Sequence, residues 1–196
     1  MTHIVYNGHT LFADRKCYGT NGAINQQNKI RTVVHGNELW VWAFAGDYAE
    51  CEYGDKVLMS NLDKDVIKEA KDSLGIDNIN AFSGILVVEN ILTNERKAYL
   101  ANYFGLRMEV ATDDLVCTGA MAGDIQRTYK LLTTVSANTG ISVPCLCGLD
   151  PYDPRSFYHT GYEIEWIIRH TTKNSLMGQD GYAIDRYDFK GGNNGS

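Results

Sequence analysis

The residue whose type and position best suit catalysis is Thr2, which directly follows Met1 at the start of the chain. Removal of Met1 would free the α-amine of Thr2, and the unperturbed pKa of such an amine, about 7.7–8.0, suits a base near neutral pH. This amine is close enough to take the proton of the Thr2 hydroxyl, so the oxygen can attack a peptide carbonyl without a histidine. The alternative interpretation of Thr2 is an ordinary residue of a first strand.

A β-hairpin is predicted to open the chain. Residues 4–6 and 10–13 suit strands, and the asparagine and glycine at positions 7 and 8 favour a tight two-residue turn. Such a turn aligns positions 6 and 9, and further along the ladder it aligns Thr2 with Ala13. Thr2 would therefore lie next to Asp14. Taken alone, Asp14 could equally be a carboxylate in a turn at the end of a strand.

The rest of the chain alternates between groups of strands and groups of helices. The periodicity predicts strands over 30–34 and 39–45, helices after Gly46 and over 66–74, strands over 82–89, 97–101, 107–111 and 115–118, helices over 121–138 and 156–170, and a strand over 181–189. An irregular loop is predicted through Pro144, Pro151 and Pro154. This order predicts an α+β fold, a four-layer αββα sandwich of two antiparallel sheets. We expect one domain over 1–189 and a flexible tail over 190–196.

Three motifs lie near the ends of predicted strands. They are Asn7, Gly8 and His9 with Ala13 and Asp14 beyond them; Asn28, Lys29, Ile30 and Arg31; and Ala43, Phe44, Ala45, Gly46 and Asp47. With the order of elements, they resemble the proteasome β-subunit and the bacterial HslV peptidase, both N-terminal-nucleophile (Ntn) hydrolases. The resemblance covers most of residues 2–135. It implies the αββα sandwich of that family.

The resemblance also implies a role for each candidate catalytic residue. Thr2 would be the nucleophile, and Asp14 would stand beside its amine. The ammonium of Lys29 would keep the pKa of the Thr2 hydroxyl and amine low. The backbone amide of Gly46 would donate a hydrogen bond to the developing oxyanion. The alternatives are a solvated charge for Lys29 and a glycine required only by the turn for Gly46.

Two functions remain open at this stage. The first is a threonine endopeptidase that assembles into a homo-oligomeric ring and hydrolyses unfolded polypeptide, with an ATPase unfoldase as a candidate partner. The second is a non-catalytic proteasome-like subunit that serves assembly or protein binding. The second is motivated by Thr118, which stands where the family has the serine of a Gly-Ser-Gly turn, and by the lack of an aspartate around residues 170–175.

Composition limits the other classes of function. The formal net charge is −6 and no cluster of Lys and Arg occurs, which argues against a nucleic-acid partner. The N-terminus carries neither a signal peptide nor a membrane span, so we expect no membrane partner and a cytoplasmic location. The five cysteines favour packing over disulfides. A metal site at Cys145 and Cys147 with His159 or His170 is the weaker alternative, and no cofactor is predicted.

Overall fold

The structure is a computed structural model that describes residues 2–18, 24–74, 83–102, 107–111, 114–150, 161–172 and 183–189. The predicted tail at 190–196 lies outside the described residues, as do Pro151, Pro154 and His159. The first part of the predicted helix over 156–170 also lies outside them, as does the first part of the predicted strand over 181–189.

The described strands and helices follow the predicted order, with two short strands and one short helix added. The strands are β1 (His3–Tyr6), β2 (Thr10–Asp14), β3 (Lys16–Tyr18), β4 (Ile24–Gln26), β5 (Arg31–His35), β6 (Glu38–Ala45), β7 (Ser83–Asn90), β8 (Arg96–Asn102), β9 (Arg107–Val110), β10 (Val116–Gly119) and β11 (Ile184–Asp188). The helices are α1 (Tyr48–Met59), α2 (Lys64–Leu74), α3 (Ala122–Thr139), α4 (Val143–Leu146) and α5 (Tyr162–Thr172).

The described strands form antiparallel sheets. One sheet has four strands in the order β10-β1-β2-β11, and a second has five in the order β5-β6-β7-β8-β9. The strands β3 and β4 pair only with each other. The fold is therefore α+β with antiparallel sheets, and the first strand, which follows Thr2 directly, lies inside the four-stranded sheet.

Strand β6 explains how the chain builds its core. Its alternate residues Trp40, Trp42 and Phe44 pack in one cluster with side chains of α1 and α2, such as Leu58 and Ala70. The two tryptophans therefore share one face of the strand. The residues between them, Val41, Ala43 and Ala45, join a cluster with side chains of β1, β2, β7 and β10. Successive side chains of a strand point to opposite faces, and both faces of β6 are buried. Its sequence is therefore a nearly continuous run of apolar residues.

A third cluster covers the other face of the four-stranded sheet. Val5 and Phe12 of this sheet pack with Ile125 of α3 and with Ile164 and Ile168 of α5. These side chains are all fully buried. The four-stranded sheet is therefore packed against the other sheet on one face and against helices on its opposite face.

The predicted register of the first hairpin is wrong. Tyr6 pairs with Leu11 rather than with His9, and Ile4 pairs with Ala13. The side-chain oxygen of Asn7 accepts the backbone N–H of His9 at 3.0 Å and that of Thr10 at 2.8 Å. Because this side chain takes two backbone donors, four residues instead of two lie between the paired residues Tyr6 and Leu11. The shift is two residues, so each side chain keeps its face of the sheet.

Two further predictions need correction. The short strands β3 and β4 lie before α1, where only four strands were expected. The loop expected through Pro144 contains the short helix α4, in whose first turn Pro144 lies. Proline is tolerated at that position because the first N–H groups of a helix have no partner within the helix.

Candidate functional site

Lys29 connects the candidate nucleophile to the candidate carboxylate. Its Nζ donates to Thr2 Oγ1 at 2.7 Å and to Asp14 Oδ2 at 3.1 Å, and it also donates to the backbone oxygen of Lys16 at 2.7 Å. The Lys29 side chain is only 11% exposed. The structure thus brings together three of the four residues proposed from the sequence, which are separated in the chain by up to 27 positions.

Asp14 is completely buried, and both oxygens of its carboxylate accept hydrogen bonds. Oδ1 accepts the backbone N–H of His3 at 2.5 Å, and Oδ2 accepts the backbone N–H of Lys16 at 3.0 Å. Together with Lys29, these donors compensate a carboxylate that is 0% exposed. Because His3 follows Thr2, the same carboxylate fixes the backbone beside the candidate nucleophile.

A turn between β10 and α3 holds the backbone of Thr2 from the other side. The N–H of Ala120 donates to the Thr2 carbonyl oxygen at 3.0 Å, and His3 Nδ1 lies 2.5 Å from the Ala120 oxygen. Gly119 has a φ of +90°, and a Cβ added there would overlap the Thr2 carbonyl oxygen. Gly119 was not among the site residues proposed from the sequence, although the Gly119–Ala120 pair at a strand-to-helix junction was a signal for a tight turn.

We expect Gly119→Ala to destabilise the fold and to displace Thr2. The left-handed φ and the overlap with backbone together should lower the free energy of unfolding by roughly 2–5 kcal/mol. Gly140→Ala is the matched control, because Gly140 has a φ of +73° but open space around it. The control should lose only about 1–2 kcal/mol. Urea denaturation of both variants measures the difference, and equal losses would contradict the close approach to Thr2.

Thr2 opens into a cavity of about 280 Å³. Lys29 and Arg31 line it on one side, and Phe44 and Tyr48 line it near the junction of β6 and α1. A volume of this size suits a side chain of a bound peptide rather than a large cofactor. The arrangement can therefore place a peptide carbonyl at Thr2 Oγ1 while a neighbouring side chain of the same peptide lies in the cavity.

Gly46 and Thr118 occupy different surroundings. Gly46 lies in the exposed bend between β6 and α1, two residues before Tyr48 of the cavity wall. Its role at an oxyanion remains a prediction. The Thr118 hydroxyl donates to Ser83 Oγ at 2.5 Å. Its hydrogen bond is therefore made to β7 of the other sheet.

Comparisons with known proteins identify the fold. No protein-family model and no curated protein matches the chain. Anbu from Hyphomicrobium sp. strain MC1 aligns with a TM-score of 0.58 at 15% identity, over 96% of this chain and 82% of that one. The chain has a proteasome-like fold.

Two other solved structures give the same result. The Anbu complex of Pseudomonas aeruginosa, solved as a helical assembly, aligns with a TM-score of 0.57 at 13% identity over 96% of this chain and 81% of that one. Anbu of Yersinia bercovieri, an ancestral β-subunit, aligns with a TM-score of 0.55 at 13% identity over 96% and 82%. At such identities the likeness establishes the fold, and the chemistry must be argued from the site.

The cavity wall formed by α1 contains a carboxylate, Asp55, and a thiol, Cys51, which were not among the site residues proposed from the sequence. Asp55 Oδ1 accepts Trp42 Nε1–H at 2.7 Å, and Asp55 Oδ2 lies 3.3 Å from Arg31 Nε. Burial raises the pKa of Asp55, and the bonds from Trp42 and Arg31 oppose that increase. Burial, with the nearby carboxylates of Asp55 and Glu50, raises the pKa of the Cys51 thiol to about 12.

We expect Cys51 to be a slow nucleophile in the folded protein. A thiol pKa of about 12 instead of 9.0 lowers the thiolate fraction at pH 8. The greater nucleophilicity of a more basic thiolate offsets part of this loss, which leaves alkylation on the order of fiftyfold slower than in the unfolded chain. Timed iodoacetamide labelling with peptide mass spectrometry, in buffer and in urea, measures the ratio. The Cys51→Ser variant identifies the labelled peptide, and equal rates in both solvents would contradict the expectation.

The described residues contain no group of three or more His, Cys, Asp or Glu side chains suited to a metal ion. Within that part of the chain, Cys147 is buried in the turn after α4, and burial raises the pKa of its thiol to about 11. None of the described helices is both long and apolar enough to cross a membrane.

Proposed function

We propose that the chain is a proteasome-like threonine peptidase subunit in which Thr2 becomes the nucleophile after removal of Met1. We further propose that residues 1–189 form one domain with the four-layer αββα arrangement. The three hydrophobic clusters support that arrangement, because they link helices to one sheet, that sheet to the other, and the other sheet to further helices.

The single observation that carries the proposal is the hydrogen bond from Lys29 Nζ to Thr2 Oγ1 at 2.7 Å, between two side chains that are largely shielded from solvent. An ammonium next to a hydroxyl favours the negative charge that develops on the oxygen as it loses its proton. Buried Asp14 in turn holds Lys29 in place at 3.1 Å. A lysine that served only solubility would point its charge into water.

The proposed reaction has two halves. Thr2 Oγ1 attacks the peptide carbonyl carbon while the free α-amine of Thr2 takes the hydroxyl proton. The carbonyl oxygen becomes an oxyanion, which the Gly46 amide would stabilise. The C–N bond then breaks, the leaving amine takes the proton from the α-amine, and the acyl group stays on Oγ1 as an ester. Water, deprotonated by the same amine, attacks this ester. The bond between the acyl carbon and Oγ1 then breaks, Oγ1 takes the proton back from the α-ammonium, and the second product leaves as a carboxylic acid.

The partners follow from the same proposal. We propose a homo-oligomeric ring in the cytoplasm that admits unfolded polypeptide, with an ATPase unfoldase as the delivering partner. Self-association is supported by the helical assembly that the Anbu complex of Pseudomonas aeruginosa forms. Light scattering combined with electron microscopy of the purified chain would separate a closed ring from an open helix, because only the ring has a fixed mass.

A non-catalytic subunit is the second candidate. It is favoured by Thr118, the residue in place of the family's serine, whose hydroxyl is bonded to Ser83. In that case the Lys29 and Asp14 pair would only stabilise the first hairpin, and Met1 would be retained.

Intact-mass spectrometry with one cycle of N-terminal sequencing distinguishes the two candidates. The peptidase requires a chain that begins at Thr2, and that chain should react with a peptide electrophile that captures both the hydroxyl and the amine of an N-terminal threonine. Thr2→Val is the matched control, since it keeps the shape of the side chain without the hydroxyl. Quantitative retention of Met1, or equal labelling of the control, would contradict the peptidase.

A further inference from the structure

The lining of the cavity beside Thr2 contains two cations, Lys29 and Arg31, and two carboxylates, Glu52 and Asp55. Both cations are already engaged: Lys29 by Asp14, which lies outside the lining, at 3.1 Å, and Arg31 by Asp55 at 3.3 Å. Arg31 also donates to the backbone oxygen of Asn28 at 2.9 Å. Once these pairs are accounted for, the charged group left over among the lining residues is the carboxylate of Glu52.

Glu52 is exposed, and it projects from α1, whose residues Tyr48 and Asp55 line the same cavity. Among the described residues, no cation forms an ion pair with its carboxylate. Lys56, one helical turn further along α1, lies 4.8 Å from the centre of the Tyr53 ring instead. An incoming cation therefore finds a carboxylate that is not already neutralised.

An independent feature of the same wall points to the same sign of charge. The Cys51 thiol is influenced by the carboxylates of Asp55, Glu50 and Asp47, while Lys29 is the cation that opposes them. Around this thiol of the cavity wall, the carboxylates near the start of α1 thus outnumber the cations. A carboxylate on a substrate would be repelled there, whereas an ammonium or guanidinium would be attracted.

The apolar part of the wall suits a long side chain. Phe44 and Tyr48 lie in the lining, and aromatic faces accept both the methylene groups and the charged end of lysine or arginine. Thr2 stands at one side of this cavity, so a peptide attacked by Oγ1 can place the side chain next to the reacting carbonyl inside it.

We propose that this cavity selects lysine or arginine as the residue that supplies the cleaved carbonyl, and that the Glu52 carboxylate recognises its charge. The choice of position rests on the proposed function. The preference for a cation over a neutral or acidic side chain rests on the lining of the cavity alone.

The first measurement uses the full chain carrying Thr2→Ala, which separates binding from hydrolysis. Calorimetric titration with short acetylated peptides that end in arginine amide, norleucine amide or glutamate amide should give the tightest binding for arginine. Glu52→Gln in this background should reduce the preference for arginine over norleucine by about fivefold, and 0.5 M salt should reduce it too. Glu69→Gln, the same charge change on α2 outside the cavity lining, is the matched control.

The second measurement uses the chain that begins at Thr2 and compares kcat/KM for fluorogenic peptides with arginine, lysine, norleucine or glutamate before the cleaved bond. The proposal expects arginine and lysine first, and Glu52→Lys should shift the order toward glutamate. Arginine binding without hydrolysis of any peptide would support the cavity and contradict the peptidase. Hydrolysis or binding without preference for a cation, or a preference unchanged by Glu52→Gln, would overturn the proposal.

Discussion

Replacing Thr2 with alanine should lower the rate of peptide hydrolysis on the order of a thousandfold or more, because the proposed chemistry has no other attacking oxygen. Thr2→Ser keeps a hydroxyl at the same position and should retain most of the chemistry. Both variants leave position 2 small, so the initiator methionine can still be removed. The measurement is kcat/KM with a fluorogenic peptide, after mass spectrometry has established where each chain begins.

The fold should tolerate both changes, so a loss of hydrolysis in Thr2→Ala can be assigned to the missing hydroxyl. Lys29 Nζ loses one acceptor in Thr2→Ala but keeps Asp14 Oδ2 and the Lys16 backbone oxygen. We expect the free energy of unfolding to fall by about 1 kcal/mol or less. If Thr2→Ala is as stable as the parent and still hydrolyses peptide at the parent rate, the nucleophile lies elsewhere.

Removing Lys29 should damage both stability and activity. In Lys29→Met the Asp14 carboxylate stays fully buried without its cation, held only by the backbone amides of His3 and Lys16. Breaking a buried ion pair from one side costs about 3–5 kcal/mol. Hydrolysis should fall at least about a hundredfold, since the charge that favours ionised Thr2 Oγ1 is gone.

A double variant separates the two effects. Asp14→Asn added to Lys29→Met removes the uncompensated charge, so about 1–3 kcal/mol of stability should return. Activity should not return, because the ammonium is still missing. Lys68→Met, an exposed lysine of α2, is the control and should change stability by about 0.5 kcal/mol or less. Full recovery of hydrolysis in the double variant would mean that Lys29 serves only the folded state.

Local patterns in the sequence were enough to predict most of the elements. The alternation Trp40, Val41, Trp42, Ala43 has the period of a strand buried on both faces, and the structure places these residues in two clusters on opposite faces of β6. The long helix α3 also follows its periodicity to a stop at Gly140, which has the left-handed φ of a helix end. Such features depend on neighbours within one or two turns, and the sequence contains those neighbours.

The elements that were missed depend on less local signals. The strands β3 and β4 are three residues each, too short for a period to emerge from the sequence. The hairpin register depended on whether the Asn7 side chain would bond to the backbone of its own loop, which composition alone does not settle.

The candidate site likewise depends partly on features that are visible in the sequence and partly on the tertiary structure. The sequence by itself determined which residue types were available, and the resemblance singled out Thr2, Asp14 and Lys29 among them. Only the tertiary structure decided that Lys29 Nζ lies 2.7 Å from Thr2 Oγ1, that Gly119 approaches the Thr2 carbonyl, and that Glu52 faces the same cavity. The physical reason is that these contacts join the residue before β1, the segment before β5, the end of β10 and the first half of α1. Distances between such remote segments are set by the packing of sheets and helices, which no local pattern contains.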